Sequence, residues 1–184
     1  SDLPLGFGRE SDPEPELFDF LAVEHQLSPS AISGGQRIRW TGRPITVKVP
    51  LHRTTRVLGT VTPADAYWVP AAWPGVIERL AAHGIEMEIL DQPREVTVEV
   101  YKLDSPTYSE EPYEGRLRVE AKGAPAKMTR SYPPGSARVS TDQPLGVLAT
   151  LLLEPASPDS FFQWGFFSEI FQRTEYAESY VLEP

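Results

Sequence analysis

Apolar and polar residues alternate along much of this chain, and the alternation predicts short half-buried strands. Arg37-Ile-Arg-Trp40 and Ile45-Thr-Val-Lys-Val49 both follow period two, separated by Thr41-Gly-Arg-Pro44. Val57–Thr62 is a third candidate, and Ile85–Leu90 and Val96–Tyr101 alternate in the same way. Arg116–Ala121 does so too, and Ala126–Tyr132 is expected to pair with it across Gly123 and Pro125. Pro133-Pro-Gly135 reads as a turn, and Ala137–Ser140 as a further strand.

Helical patterning is confined to a few places. Ala66–Pro70 reads as a strand leading into a helix with Pro74 in its first turn, Val76, Ile77 and Leu80 on one face, and Gly84 as the stop. With Ile85–Leu90 it forms a strand–helix–strand unit. Val139 stands five residues before Pro144, as Val69 does before Pro74, so the second junction echoes the first. Leu145–Leu153 then forms an apolar run that ends at Glu154-Pro155, expected to be core. Ser157-Pro-Asp-Ser160 opens a third segment crowded with aromatics through Phe171. Helices are expected at about 74–83, 144–153 and 158–171.

The fold class that follows is α+β: a largely antiparallel twisted sheet or β-sandwich of about seven to nine short strands, with two to three short helices. The 19 prolines among 184 residues, roughly double the usual ~5% share, favour turns and short elements. Residues 1–35 read as an acidic, Pro/Gly-rich arm or linker carrying one apolar patch, Leu17–Leu21. Residues 36–184 read as a single β-rich accessory domain.

Charge narrows the partners. The net charge is −9, and residues 1–24 hold seven acids against Arg9 alone. Nucleic acid is a poor partner for such a chain, because its phosphates need Lys and Arg. The acidic run is more simply a solvated arm than a binding site. Cysteine is absent, which removes disulfides, thiolate metal sites and a cysteine nucleophile. No apolar run approaches the ~18 residues of a membrane span, and no signal peptide is evident. The Ser-Asp start reads as that of a piece excised from something longer.

Candidate chemistry is sparse. His83-Gly-Ile-Glu86 has the H-x-x-E spacing of a zinc ligand pair, but a catalytic zinc needs three protein ligands, and no histidine follows residue 83. His25 and His52 lie upstream without a spaced partner. A cation in the last turn of a helix is favoured by the helix dipole, the simpler reading of His83. No G-x-S-x-G and no phosphate-binding glycine loop occur. Paired acids such as Glu86/Glu88 suit the solvent face of a strand. Trp40, Trp68, Trp73, Tyr101, Tyr108 and Tyr113 could form a stacking platform for a sugar or peptide. The simpler expectation places Trp40 and Trp68 on buried strand faces.

Several segments together resemble a known family: Ala66-Tyr-Trp-Val-Pro-Ala-Ala-Trp73, Val76–Ile85, Pro134-Gly-Ser-Ala-Arg-Val139, Gln143-Pro-Leu-Gly-Val-Leu-Ala149 and Leu152–Ser160, with Trp40–Pro50 upstream. They resemble the region C-terminal to the catalytic domain in large bacterial zinc carboxypeptidase-like proteins of the carboxypeptidase A peptidase family. The resemblance covers roughly residues 33–184. It implies a non-catalytic accessory domain packed on an N-terminal peptidase domain of the same polypeptide. The zinc would sit in that domain and none in this chain, and the setting would be periplasmic or secreted. No catalytic, cofactor or metal residue carries over. The expected interaction surface is Trp73, Tyr108, Tyr113, Phe161, Phe162, Trp164, Phe166 and Phe167, on the 158–171 segment and the 104–114 loop. The alternative is a glycan-binding module using exposed Trp and Tyr.

Overall fold

The computed structural model describes residues 2–9, 15–52 and 55–172. The chain divides into two units, Phe7–Arg56 and Ser1–Gly6 with Val57–Pro184. Among the described residues, the strands are mostly antiparallel, are accompanied by two short helices and form no closed barrel. The single sheet or sandwich expected from the pattern is replaced, among the described residues, by three two-stranded sheets and one three-stranded sheet.

In the larger unit, β5 (Ala66–Val69), β9 (Ala137–Ser140) and β6 (Glu88–Ile89) lie in the order β5-β9-β6. Strand β9 is antiparallel to both neighbours. Helix α1 (Pro74–Ala82) joins β5 to β6, giving a strand–helix–strand unit with a third strand inserted. Pro74 starts α1 where a missing N–H costs nothing. Gly84, at φ +78°, ends it. The Gly84 N–H donates to Ala81 O and the Ile85 N–H to Leu80 O, a Schellman closure with Ile85 and Leu80 buried together. The proline and glycine read from the sequence thus bound the helix for the expected reasons.

Helix α2 (Gly146–Leu153) follows β9 as α1 follows β5. Gly146 is required at its start, because a Cβ there would lie 1.9 Å from Thr141 O. The core gathers Val69, Val76, Leu80, Ile85, Ala137, Val139, Ala149 and Phe161, with Leu145, Leu148, Leu152 and Leu153 packed against it. The apolar run before Glu154 therefore serves the core.

The expected helix at 158–171 does not form. The chain there is a series of turns ending in a short 3₁₀ segment, Ser168–Phe171. Its backbone groups are drawn to neighbours: the Phe161 N–H donates to Leu152 O, and Gln163 O accepts from the Val119 N–H. Gly165, at φ +73°, turns the chain again.

Strands β7 (Arg94–Tyr108) and β8 (Val119–Tyr132) make a long antiparallel ribbon. Residues 126–132 do not fold back on 116–121. Gly123 and Pro125 stay within β8, opposite Leu103 and Tyr101. Gly123 permits close approach, not a turn: a Cβ would sit 2.4 Å from Lys102 O. The turn lies instead at Glu114-Gly115, both at positive φ, between the bridged pair Tyr113 and Arg116. Strands β1 (Leu3–Arg9) and β4 (Thr55–Val61) form a further two-stranded sheet.

The smaller unit is a second ribbon. Where the sequence reads as arm, Glu16–Pro29 forms β2, paired antiparallel with β3 (Gln36–Leu51) around a turn in which the Ser30 N–H donates to Gly35 O. The two short strands expected in 37–49 are one strand, with Gly42 at φ +80° near an irregularity in the register. Residues directly opposite share a face. Phe18, Phe20 and Ala22 therefore lie with Val49, Val47 and Ile45, while Leu17, Leu21 and Val23 lie with Pro50, Thr46 and Pro44. Both faces of this ribbon carry apolar side chains, and the second also carries the Asp19–Lys48 ion pair.

Candidate functional site

Of the residues expected to form an interaction surface, Phe161 and Phe162 are buried. Phe161 stacks edge-on against Phe166, and Phe162 against Phe171. Both belong to the interior, because the turns that replace the expected helix fold these rings inward. Trp73, Trp164, Phe166 and Phe167 are half-buried. Trp73 meets Phe167 edge-on at 5.0 Å. Tyr108 and Tyr113 are exposed, and the Tyr113 ring lies 5.9 Å from Trp164.

What joins these rings is arginine, which the sequence pattern did not single out. The Arg79 and Arg116 guanidinium carbons lie 4.6 and 4.0 Å from the centre of the Phe166 ring. Arg118 lies 4.9 Å from that of Trp164. Cation–π contacts of this kind pair a charge with the electron-rich face of a ring. Arg118 is tied down further: it donates to Pro158 O and Gln163 Oε1, and meets Asp159 at 3.5 Å. Arg79 donates to Gly75 O and Arg116 to Trp164 O. The i, i+2 spacing of Arg116 and Arg118 was the one visible signal, since such a spacing places both on one side of an extended chain. Beside this cluster a hollow of about 310 Å³ is lined by Ala72, Trp73, Pro74, Gly75, Val76, Phe166 and Glu169.

The glycan platform has less to work with. One face of Trp164 is covered by Arg118, and Arg94 lies over Trp68. Trp68 is half-buried against Tyr132, but Trp40, expected on a buried face, is 63% exposed. Trp40 sits on the β2–β3 ribbon, where its ring meets only His25 edge-on among the described rings. It is exposed because nothing within that two-stranded sheet covers either face.

The two ends of the H-x-x-E spacing make separate contacts. The His83 ring nitrogen Nδ1 lies 2.7 Å from Arg79 O at the end of α1. The Glu86 backbone exchanges hydrogen bonds with the Gln143 side chain. Among the described residues, no three His, Asp or Glu side chains gather as metal ligands. A second hollow, of about 260 Å³, lies over Glu86, Glu88, Arg138 and Asp142. Glu88 there is paired with Arg94 at 2.6 Å, and that hydrogen bond holds its carboxyl below the usual range.

One buried carboxylate stands apart. Glu154, at the end of α2, accepts hydrogen bonds from Tyr67 at Oε1 and Tyr101 at Oε2. Burial, then the Glu154 contact, raises the Tyr67 hydroxyl pKa. Burial, then the Glu154 charge, pushes that of Tyr101 up to about 12. The residue ties β5, β7 and α2 together.

The larger unit is thus a small α+β core with an arginine–aromatic face. Among known proteins, the chain is similar to carboxypeptidase 2 of the fungus Trichophyton rubrum, 32% identical over 115 residues. It is likewise similar to carboxypeptidase 2 of Trichophyton tonsurans, 31% identical over 115 residues. Each match covers 58% of this chain and 21% of the relative, so the chain spans about a fifth of the length of the curated relatives it matches. The similarity is thus to a part of a carboxypeptidase. The relatives are fungal, and the bacterial part of the sequence resemblance receives no support from them. No family model matches the chain, and no solved structure does. No helix among the described residues is long and apolar enough to cross a membrane.

Proposed function

We propose that this chain is a non-catalytic accessory region of a secreted zinc metallocarboxypeptidase, packing on and shaping the peptidase domain of the same polypeptide. The observation that carries the reading is the similarity to carboxypeptidase 2 over about a fifth of that protein's length. The zinc belongs, by family resemblance, to the peptidase domain, and no residue here takes part in its chemistry. The resemblance also supports an extracytoplasmic setting.

The β2–β3 ribbon is the docking element in this reading, in place of the buried Phe161 and Phe162. An isolated two-stranded ribbon is marginal in water, and this one exposes Leu17, Phe18, Phe20, Leu21 and Trp40 across both faces. Covering those side chains on a partner supplies the burial that the ribbon lacks.

The test uses the intact polypeptide that carries this region. It is expected to release C-terminal residues from peptides, and Phe18→Ser with Phe20→Ser is expected to lower its thermal midpoint while leaving the fold of residues 57–172 intact. An intact protein that releases no C-terminal residue overturns the reading. So does turnover by the isolated 184-residue chain supplied with zinc.

A further inference from the structure

We propose that the Arg79–Phe166–Arg116 stack and the hollow beside it form a binding site for an acidic peptide segment with an apolar side chain between its carboxylates. The inference rests on the geometry of the larger unit alone and stands whether or not the accessory reading holds.

Charge complementarity identifies the occupant. In a chain of net charge −9, Arg79 and Arg116 converge on one ring, and both are exposed. Among the described residues neither forms an ion pair. Each spends one donor on a backbone oxygen, Gly75 O at 3.2 Å for Arg79 and Trp164 O at 3.3 Å for Arg116. A guanidinium has five N–H donors in a planar fork, so most of each fork stays open. The ring and the backbone contact hold each fork in place. This lowers the ordering cost of binding a carboxylate, which the fork fits with two parallel hydrogen bonds.

The hollow supplies the second half of the recognition. Trp73, Pro74, Val76 and the same Phe166 ring give it apolar walls, and about 310 Å³ accommodates one apolar side chain. Glu169 is the only acid among the described lining residues. It disfavours a carboxylate in the hollow, so the partner's acids are directed to the arginines and its apolar residue to the cavity. Phe166 belongs to both halves, and this couples the charge and the apolar group in one ligand. A peptide fits that demand better than a free anion does.

The test titrates the 184-residue chain with capped peptides, Glu-Glu-Leu-Glu-Glu against its Gln-for-Glu and Ser-for-Leu counterparts, and follows tryptophan fluorescence. Trp73 lines the hollow and reports occupancy. The acidic Leu peptide is expected to bind at least tenfold more tightly than either counterpart, and more weakly as salt screens the exposed charges. Arg79→Gln with Arg116→Gln is expected to cost at least tenfold in affinity while the chain keeps its far-ultraviolet spectrum and a cooperative melt. Arg130→Gln, an exposed arginine on β8 outside the stack, controls for general charge and should bind as the unaltered chain does. Equal binding of the Gln peptide, an unaffected double variant, or equal competition by inorganic phosphate would overturn the proposal.

Discussion

The Tyr67 hydroxyl donates a 2.6 Å hydrogen bond to Glu154 Oε1, joining the start of the core sheet to the end of α2 across 87 residues of sequence. Tyr101 holds the other carboxylate oxygen at 3.0 Å, so the β7–β8 ribbon is anchored at the same point. Replacing Glu154 with Ala leaves the half-buried Tyr67 hydroxyl without this acceptor and opens a gap at the helix end. The expected loss is about 2–4 kcal/mol of unfolding free energy, since hydrogen bonds to charged groups contribute about 1.5–3 kcal/mol each and Tyr101 is partly exposed. Denaturant unfolding of Glu154→Ala and Glu154→Gln checks this. The Gln variant keeps an acceptor and should lose less.

The same contact gives an alkaline signature. Tyr67 and Tyr101 both keep their protons in the folded chain beyond the ordinary tyrosine range, first through burial and then through Glu154. In the unfolded chain tyrosine ionises near pH 10. The stabilisation is therefore complete below about pH 10 and declines as pH rises towards the folded values. A series of urea midpoints at increasing alkaline pH should show that fall. Glu154→Gln should reduce the slope without removing it, because burial is the larger cause.

Gly146 is predicted to be intolerant of a side chain. Its Cβ would overlap Thr141 O, a backbone atom that cannot move without disturbing the β9–α2 junction. Gly146→Ala is expected to destabilise by about 1–3 kcal/mol or more, although alanine favours helices in general. Gly59, whose Cβ would meet nothing within 4 Å, is the comparison site. Thermal melts of Gly146→Ala and Gly59→Ala should separate clearly.

Leu80 is fully buried in the core on α1. Leu80→Ala is expected to cost about 2–5 kcal/mol from lost burial and the residual cavity. Calorimetry or denaturant unfolding of that variant tests whether the β5-β9-β6 sheet and its two helices melt as one cooperative body.

The exposed apolar ribbon predicts dye binding. The isolated 184-residue chain should bind a hydrophobic probe such as ANS. Phe18→Ser, Phe20→Ser and Trp40→Ser together should cut that signal several-fold while leaving the far-ultraviolet spectrum of the remainder unchanged. A signal unaffected by the triple variant would show that the apolar surface lies elsewhere.

Local chemistry made parts of the fold legible in advance. Pro74 and Gly84 mark the ends of α1 because one lacks a donor where none is needed and the other accepts positive φ. The spacing from Val69 to Pro74 and from Val139 to Pro144 announced two strand–helix junctions, and both valines are core residues. The aromatic-rich 158–171 segment misled for an equally local reason. A helix-start signal before many large apolar residues reads as a helix, yet Gly165 turns the chain and Gln163 O is taken by Val119 of β8. Likewise Gly123 and Pro125 look like a turn in sequence, but β7 pairs straight through them.

The sequence by itself determined the strand-rich character, the two short helices and the core apolar run, because these follow from period, propensity and end signals within a few residues. Only the tertiary structure decided that Arg79, Arg116 and Phe166 meet, and that Glu154 is clamped by two tyrosines. It also decided that Phe161 turns inward while Phe18 and Trp40 face out. Those outcomes join residues dozens of positions apart. They depend on which backbone groups and ring faces compete successfully for one another, a competition that no local window of sequence contains.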